Sequence, residues 1–204
     1  HSTYGYTGSG VKIGQVDGGV PDINDIQLSP ISTNIHINNS TYISSHASWV
    51  ADIMVGQHVS GYSSGIAPNA ELYCTPLRLN GVYYLEGVEW LLTNGANVIN
   101  ASVRFGDDDN NQYGAYSMWL DHIAINHFAT FVKSAGNSSS SGVTSGGMAY
   151  NIITVGNIDD RNTLDLSDDI LRHTSSYYIV NTNLAYKPDI FATGTNISNA
   201  AYPN

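Results

Sequence analysis

The sequence has little cysteine, few basic residues and no long apolar run. Its one cysteine, Cys74, excludes an internal disulfide and any zinc cluster built from cysteines. The 7 Lys and Arg residues stand against 17 Asp and Glu, a formal net charge of −10. Such a chain lacks the cations that neutralise nucleic-acid phosphates, and it has no run near the roughly 18 apolar residues that span a bilayer. We therefore expect neither a nucleic-acid partner nor a membrane.

Short β-rich runs alternate with stretches of helical spacing along the 204 residues. The pattern predicts strands at 11–16, 34–38, 71–79, 97–103, 129–137 and 151–156, and helices at 46–59, 84–93 and 116–127. This alternation predicts an α/β fold, a three-layer sandwich with a mainly parallel central sheet flanked by helices. No internal repeat or clear boundary interrupts the pattern, so residues 1–204 are interpreted as a single domain.

Two short patterns are interpreted as loops rather than as sites, and a third pattern is missing. The GxSxG pattern at 61–65 lacks the following helix that a nucleophile elbow requires, because Pro68 comes soon after it, so a surface turn is predicted. The acidic run at 106–111 lacks the spacing of a calcium-binding EF-hand loop. No GxGxxG follows the first strand, which counts against a dinucleotide-binding domain.

Three polar residues fall at ends of predicted elements: Asp17 after the first strand, His46 at the start of a helix, and Asn137 at a turn. Taken singly, each is typical of a cap or a turn. Taken together they suit nucleophilic catalysis. A buried carboxylate can hold an imidazole in one tautomer, the imidazole can act as general base toward a hydroxyl, and an asparagine amide can donate to a developing oxyanion.

The chain resembles the subtilisin-like serine proteases, the subtilases. VDGGV resembles the family's Asp motif, SHASWVADIMVG its His motif, and SAGN its oxyanion motif. GIAPNAELY (65–73) resembles the Gly-Val-Ala-Pro-x-Ala segment, and VINASVRFG (98–106) resembles the strand with Val-Ile-Asn-x-Ser. ITVGNID (153–159) and KPDIFATGTNI (187–197) resemble two later landmarks. The matches follow the family's order across nearly the whole chain.

The resemblance implies a role for each of the three polar residues. Asp17 would orient His46, His46 would be the general base, and Asn137 would donate to the oxyanion. A peptide substrate would add as an extended strand along an edge of the domain. The residues that the resemblance assigns to substrate binding are Ser102, Val103, Arg104, Ala135 and Gly136. Trp49, in the His motif, departs from the family's usual residue and is expected to reshape the cleft.

The family's catalytic serine motif, Gly-Thr-Ser-x-Ala-x-Pro, has no clear counterpart in this sequence. Gly194 to Ile197 resembles the stretch that precedes it. Ser198 is the weaker alternative, because it lacks the preceding Gly-Thr and has one residue too many before Pro203. We expect a catalytic domain that is incomplete at its C-terminal end and inactive by itself. A non-catalytic pseudoprotease module that binds peptides or a protein partner is the alternative interpretation.

The expected partners are a peptide or protein substrate, and a propeptide or the missing C-terminal segment. We expect no cofactor. Calcium is the open alternative, but the short segment VSGYSS (59–64) leaves no counterpart for the calcium-binding loop of well-known subtilisins, so no calcium site is recognisable. The scarcity of thiols suits an oxidising setting, so an extracellular or cell-envelope location is predicted.

Overall fold

The computed structural model describes residues 5–79, 82–106, 111–139, 142–178 and 187–197. They belong to two compact units, of which the first runs to Ser102 and the second is Val103–Ile197. The single domain expected from the sequence stays a prediction. The candidate nucleophile Ser198 and most of the acidic run, 107–110, lie outside the described residues.

The first unit contains a parallel sheet of four strands in the order β6-β1-β3-β2. These are β1 (Lys12–Asp17), β2 (Ile35–Ile37), β3 (Glu71–Pro76) and β6 (Val98–Ala101). Two short strands, β4 (Arg78–Leu79) and β5 (Val82–Tyr83), pair antiparallel. The helices are a 3₁₀ helix at Ser29–Asn34, α1 at Ser45–Val55 and α2 at Glu86–Thr93.

Helices cover both faces of this sheet. A Cβ placed on Gly14 of β1 would lie 3.1 Å from Leu91 of α2. The next residue, Gln15, instead donates from its side chain to the Ala47 carbonyl of α1. Because successive side chains of a strand point to opposite faces, α1 and α2 lie on opposite sides of β1. The first unit is therefore built in three layers.

The second unit contains three parallel strands in the order β10-β8-β7. They are β7 (Thr130–Ser134), β8 (Ile153–Asp159) and β10 (Ile190–Thr193), and the short β9 (Ile170–Leu171) pairs antiparallel with β8. Helix α3 (Ala115–His127) packs against β7. Its Asp121 carboxylate accepts hydrogen bonds from the backbone N–H groups of Tyr150 and Asn151, which fixes the helix to the segment that enters β8.

The α/β class and the mainly parallel sheet predicted from the sequence are confirmed. The predicted end of the first helix, residue 59, is wrong, since α1 ends at Val55. The reason is tertiary: the N–H groups of Ile66 and Ala67 bond to the carbonyls of Ile53 and Met54 and so cap the last turn. Within the described residues, none of the helices combines the length and the apolar character needed to cross a membrane.

The surface turn predicted for the GxSxG pattern is also confirmed. The GxSxG segment forms a tight turn, in which Val59 and Tyr62 exchange backbone hydrogen bonds of 3.2 and 2.9 Å. Gly61 takes a φ of +92° in this turn. The Cys74 thiol is free and buried in β3.

Candidate active site

Asp17 is the last residue of β1, at the carboxyl end of a strand that has parallel neighbours on both sides. The residue is only 1% exposed, so its carboxylate must find its hydrogen-bond donors inside the protein. One of them is the backbone N–H of Gly18, which lies 2.6 Å from Asp17 Oδ1. Burial at a strand end thus gives this carboxylate a fixed direction.

The two glycines after Asp17 allow another segment to approach the strand end. A Cβ on Gly19 would lie 2.7 Å from the carbonyl oxygen of Tyr42 and 2.9 Å from Ser44 Cβ, so a side chain there would force the segments apart. Without one, Val20 N–H donates to the Tyr42 carbonyl, and Ser44 N–H donates to the Val20 carbonyl. These bonds bring the chain that leads into α1 alongside Asp17.

His46 is the second residue of α1, and the start of that helix is held in several ways. Ser44 is the N-cap, and its hydroxyl accepts from Ala47 N–H at 3.3 Å. One turn further on, the Ser48 hydroxyl donates to the Ser44 carbonyl and accepts from Asp22 N–H at 2.9 Å. The loop after Asp17 is therefore tied directly to the turn that carries His46.

The Nδ1 atom of His46 lies 2.8 Å and 2.9 Å from the two carboxylate oxygens of Asp17. Because a carboxylate can only accept, Nδ1 must carry the proton, and Nε2 of the neutral ring is left to act as a base. The His46 side chain is 49% exposed, whereas that of Asp17 is 2% exposed. The pair thus presents a half-exposed base that is oriented by a buried acid.

The hydrogen bond to Asp17 raises the pKa of His46 above its ordinary value of 6.5. Partial burial opposes this shift, and the negative charge of Asp17 adds to it. The pair therefore favours the imidazolium, which is the form that a general base reaches when it takes a proton.

Trp49 lies one helical turn after His46, with the two ring centroids 6.1 Å apart and the rings tilted by 58°. The indole therefore borders the imidazole, while about half of the His46 side chain remains exposed. The expectation that Trp49 reshapes the cleft stays a prediction.

In the second unit, a fixed turn follows β7 and ends at Asn137. Ala135 is buried, its N–H donates to the Val155 carbonyl, and its carbonyl accepts from Thr144 N–H at 2.9 Å. Gly136 has a φ of +115°, and a Cβ there would meet Thr144 Cγ2 at 2.5 Å. Asn137 itself is exposed, and its side chain makes no hydrogen bond to the rest of the described chain. The backbone holds the turn and leaves the amide open to the surface.

Lys133 is a buried amine on the strand that leads into this turn. Its Nζ donates to the Ser134 carbonyl and to the Thr144 hydroxyl, both at 2.9 Å. Burial, with a contribution from the charge of Arg104, lowers the pKa of Lys133 from 10.5 to about 7. Since Thr144 also bonds to Ala135, the lysine belongs to the network that fixes the turn.

The predicted substrate-binding residues that follow β6 lie in irregular backbone. Ser102 and Val103 are partly buried, and Arg104 is exposed. The Ser102 hydroxyl accepts from Asn100 at 3.0 Å, and the Arg104 guanidinium donates to the Gly106 carbonyl at 2.9 Å. The roles assigned to these three residues stay predictions.

A cavity of about 520 Å³ opens beside Gly18, the residue that follows Asp17. Arg78 lines it, and its guanidinium lies 4.3 Å from the centre of the Tyr83 ring and donates to the Tyr83 hydroxyl at 2.6 Å. The other lining residues are Asn39, Ser40, Thr41, Tyr42 and Leu79. The cavity therefore lies next to the residue that follows Asp17, and its lining includes both polar and apolar groups.

Sequence reasoning missed two buried polar residues, Gln15 and Lys133. Each is a long polar side chain within a short β-rich run, VKIGQV and TFVKS, and this position is the signal that could have found them. A polar side chain inside a covered parallel strand needs a specific partner. Gln15 finds it in α1 and Lys133 in Thr144.

The described part of the chain holds no group of three or more His, Cys, Asp or Glu side chains that could bind a metal ion. The expectation that no cofactor is needed stays a prediction.

A model of the subtilase family, peptidase S8, matches residues 8–204. The chain belongs to this family, so the resemblance seen in the sequence is confirmed. Subtilisin E of Bacillus subtilis (strain 168) is 32% identical over 153 residues, which are 69% of this chain and 38% of that protein. The minor extracellular protease Epr of the same strain is 24% identical over 96% of this chain and 31% of its own length. The chain thus spans well under half the length of these curated relatives.

Solved structures share the fold. The prenylagaramide maturation protease PagA has a TM-score of 0.67 at 22% identity, covering 95% of this chain and 66% of its own. The self-cleaved protease domain of PatA has a TM-score of 0.65, also at 22% identity, covering 84% of this chain and 64% of its own. At these identities the likeness concerns the subtilisin-like fold alone.

Proposed function

We propose that this chain is part of the catalytic domain of a serine endopeptidase. The observation that carries the proposal is the contact of His46 Nδ1 with both carboxylate oxygens of Asp17. Membership of the subtilase family supports it. Asp17, His46 and Asn137 lie in segments that resemble the family's motifs and follow the family's order. In the neutral ring, the proton on Nδ1 leaves Nε2 able to accept a proton, and 49% of the His46 side chain is exposed.

The proposed reaction follows from these groups. His46 Nε2 removes the proton of a serine hydroxyl as its oxygen attacks the carbonyl carbon of a peptide bond. Asp17 keeps the imidazole in position and stabilises the imidazolium, and the Asn137 amide donates to the oxygen that becomes negative. The imidazolium then gives its proton to the leaving amine, which leaves an acyl-serine. Water, activated by the same histidine, hydrolyses this ester and frees the serine. No step needs a metal or an organic cofactor.

We propose further that the nucleophilic serine belongs to a segment outside these 204 residues. The sequence contains no Gly-Thr-Ser-x-Ala-x-Pro motif. Because the members of a triad act as a unit, the chain alone is expected to lack useful peptidase activity. The pseudoprotease interpretation applies instead if the parent protein also lacks the motif.

The proposed substrate is a peptide or protein that binds in an extended conformation. Ser102, Val103 and Arg104, with Ala135 and Gly136 of the fixed turn, are the residues proposed to bind its backbone. A propeptide or the missing C-terminal segment is the proposed further partner. An extracellular or cell-envelope location is proposed, supported by the relative whose name describes it as an extracellular protease and by the single cysteine.

Sequencing the parent transcript beyond the codon for Asn204, followed by labelling with a fluorophosphonate probe, tests the proposal. We expect a Gly-Thr-Ser-x-Ala-x-Pro continuation, one covalent adduct on that serine in the full-length protein, and no adduct on the 204-residue chain. His46→Ala in the full-length protein should abolish labelling. A continuation without the serine contradicts the endopeptidase proposal and supports the pseudoprotease. An adduct on the 204-residue chain contradicts the proposed position of the nucleophile.

A further inference from the structure

Gln15 is a buried amide in the middle of β1, two residues before Asp17 and 1% exposed. Because side chains two apart on a strand share a face, Gln15 and Asp17 both point toward α1. A buried amide needs partners for its N–H groups and its oxygen, since leaving them without hydrogen bonds would be costly. The partners that it has lie next to the acid–base pair.

The amide nitrogen of Gln15 donates to the carbonyl oxygen of Ala47 at 2.7 Å. Ala47 directly follows His46 in the first turn of α1, so the bond joins the strand that carries Asp17 to the turn that carries His46. The Ala47 carbonyl is also the helical acceptor for Ala51 N–H. Gln15 is thus a second donor to the Ala47 carbonyl. The bond holds the first turn of α1, whose position determines the distance between Asp17 and His46.

Cys74 determines the orientation of the Gln15 side-chain amide. The two residues are direct partners in the parallel register of β1 and β3, and the Cys74 thiol donates to Gln15 Oε1 at 3.4 Å. A flipped amide would set its oxygen against the Ala47 carbonyl, where neither atom can donate. Burial, and secondarily the charge of Asp17, raise the pKa of Cys74, so the thiol keeps the proton that it donates.

We propose that Gln15, oriented by Cys74, is a positioning residue for His46: it fixes the first turn of α1 so that the imidazole stays on the Asp17 carboxylate. The inference rests on the proposed function, since it concerns the general base of that reaction. A merely structural glutamine would change the stability of the protein without changing the contact between Asp17 and His46.

The test compares Gln15→Leu with the unchanged chain. The leucine keeps most of the volume and removes both amide hydrogen bonds. We expect amide hydrogen exchange at Ser48 and Ala51 to become about tenfold faster, because the first turn of α1 opens more often. We also expect the pKa of His46, followed by NMR of the ring and assigned with His46→Gln, to fall between its values in the unchanged chain and in Asp17→Asn.

Gln27→Leu is the matched control. Gln27 is equally buried, and its amide nitrogen donates to the carbonyls of Gln57 and Ser63, which lie after the end of α1. This variant should lower stability and leave the His46 pKa unchanged. Unchanged exchange at Ser48 and Ala51 in Gln15→Leu would overturn the proposal, and so would faster exchange without a shift of the His46 pKa.

Failure of the proposed function gives a different result. If Asp17→Asn leaves the His46 pKa where it was, the acid–base pair itself is absent in solution, and both the proposed function and the positioning role are contradicted. If Asp17→Asn lowers that pKa and Gln15→Leu does not, only the role of Gln15 fails.

Variants of Cys74 test its part in the proposal separately. Cys74→Ala should lower the His46 pKa, and Cys74→Ser, which keeps a hydrogen-bond donor, should restore it. Equal values in these two variants contradict the part assigned to Cys74.

Discussion

The Asp17–His46 pair and Lys133, on the strand that leads to Asn137, are buried or half-buried ionisable groups whose hydrogen-bond partners differ. In the first region a buried carboxylate contacts a half-exposed imidazole, and the hydrogen bond raises the pKa of His46. In the second, the buried Lys133 has two neutral acceptors, and burial lowers its pKa to about 7. The ionised partner thus favours the charged form of His46 despite partial burial, whereas burial among neutral partners disfavours the charged form of Lys133. The first arrangement suits proton transfer, and the second suits a rigid turn.

The largest expected effect concerns Lys133. Its pKa is lower in the folded chain than in the unfolded chain, so between about pH 7 and 10.5 the unfolded chain binds one more proton, and stability rises with pH. The slope is about 1.4 kcal/mol per pH unit, or about 5 kcal/mol over the whole range. Lys133→Met should remove this part of the slope, measured by urea unfolding between pH 7.5 and 9.5.

Lys187→Met is the matched control for that measurement. Lys187 is also buried, and its ammonium lies 2.6 Å from the Asp189 carboxylate. Removing one partner of this ion pair should destabilise the protein throughout the range and leave the slope due to Lys133 in place. Parallel stability curves for Lys133→Met and the unchanged chain would contradict the description of Lys133.

The next largest effect is expected at the turn itself. Gly136→Ala adds a methyl group that would lie 2.5 Å from Thr144 Cγ2, in a backbone conformation that favours glycine. Steric overlap and backbone strain together should lower the free energy of unfolding by about 2 to 4 kcal/mol. Gly61→Ala is the control, because its φ is +92° with nothing within 4 Å, so only the strain of about 1 kcal/mol applies. Equal losses in the two variants would show that contact with Thr144 is unimportant.

The smallest effect is expected at the helix that carries His46. Ser44→Ala removes the N-cap hydroxyl that accepts from Ala47 N–H, and should cost about 1 kcal/mol in urea unfolding. Ser45→Ala changes the neighbouring exposed serine, the first residue of α1, and should cost less than half as much. If the two losses were equal, the start of α1 would not depend on its cap.

The elements of the fold and the three proposed catalytic residues could be predicted from the sequence. Asp17, His46 and Asn137 stand at element ends in recognisable motifs, and apolar runs alternating with helical spacing indicate a parallel sheet. The end of α1 could not be predicted, because the backbone of Ile66 and Ala67, distant in sequence, caps its last turn. Neither could the role of Gln15, since its two partners come from α1 and β3 and are adjacent only after folding.

The central claim is that Asp17 makes His46 an oriented base, and an NMR titration of the His46 ring tests it most directly. Because the folded pKa is raised, the pair stabilises the fold at pH values below the unfolded pKa of 6.5, and this contribution disappears as the pH rises through the folded value. We predict a His46 pKa above 6.5 in the unchanged chain and a clearly lower value in Asp17→Asn, with the proton on Nδ1 of the neutral ring. The same pKa in both chains, or a neutral ring protonated on Nε2, would contradict the account.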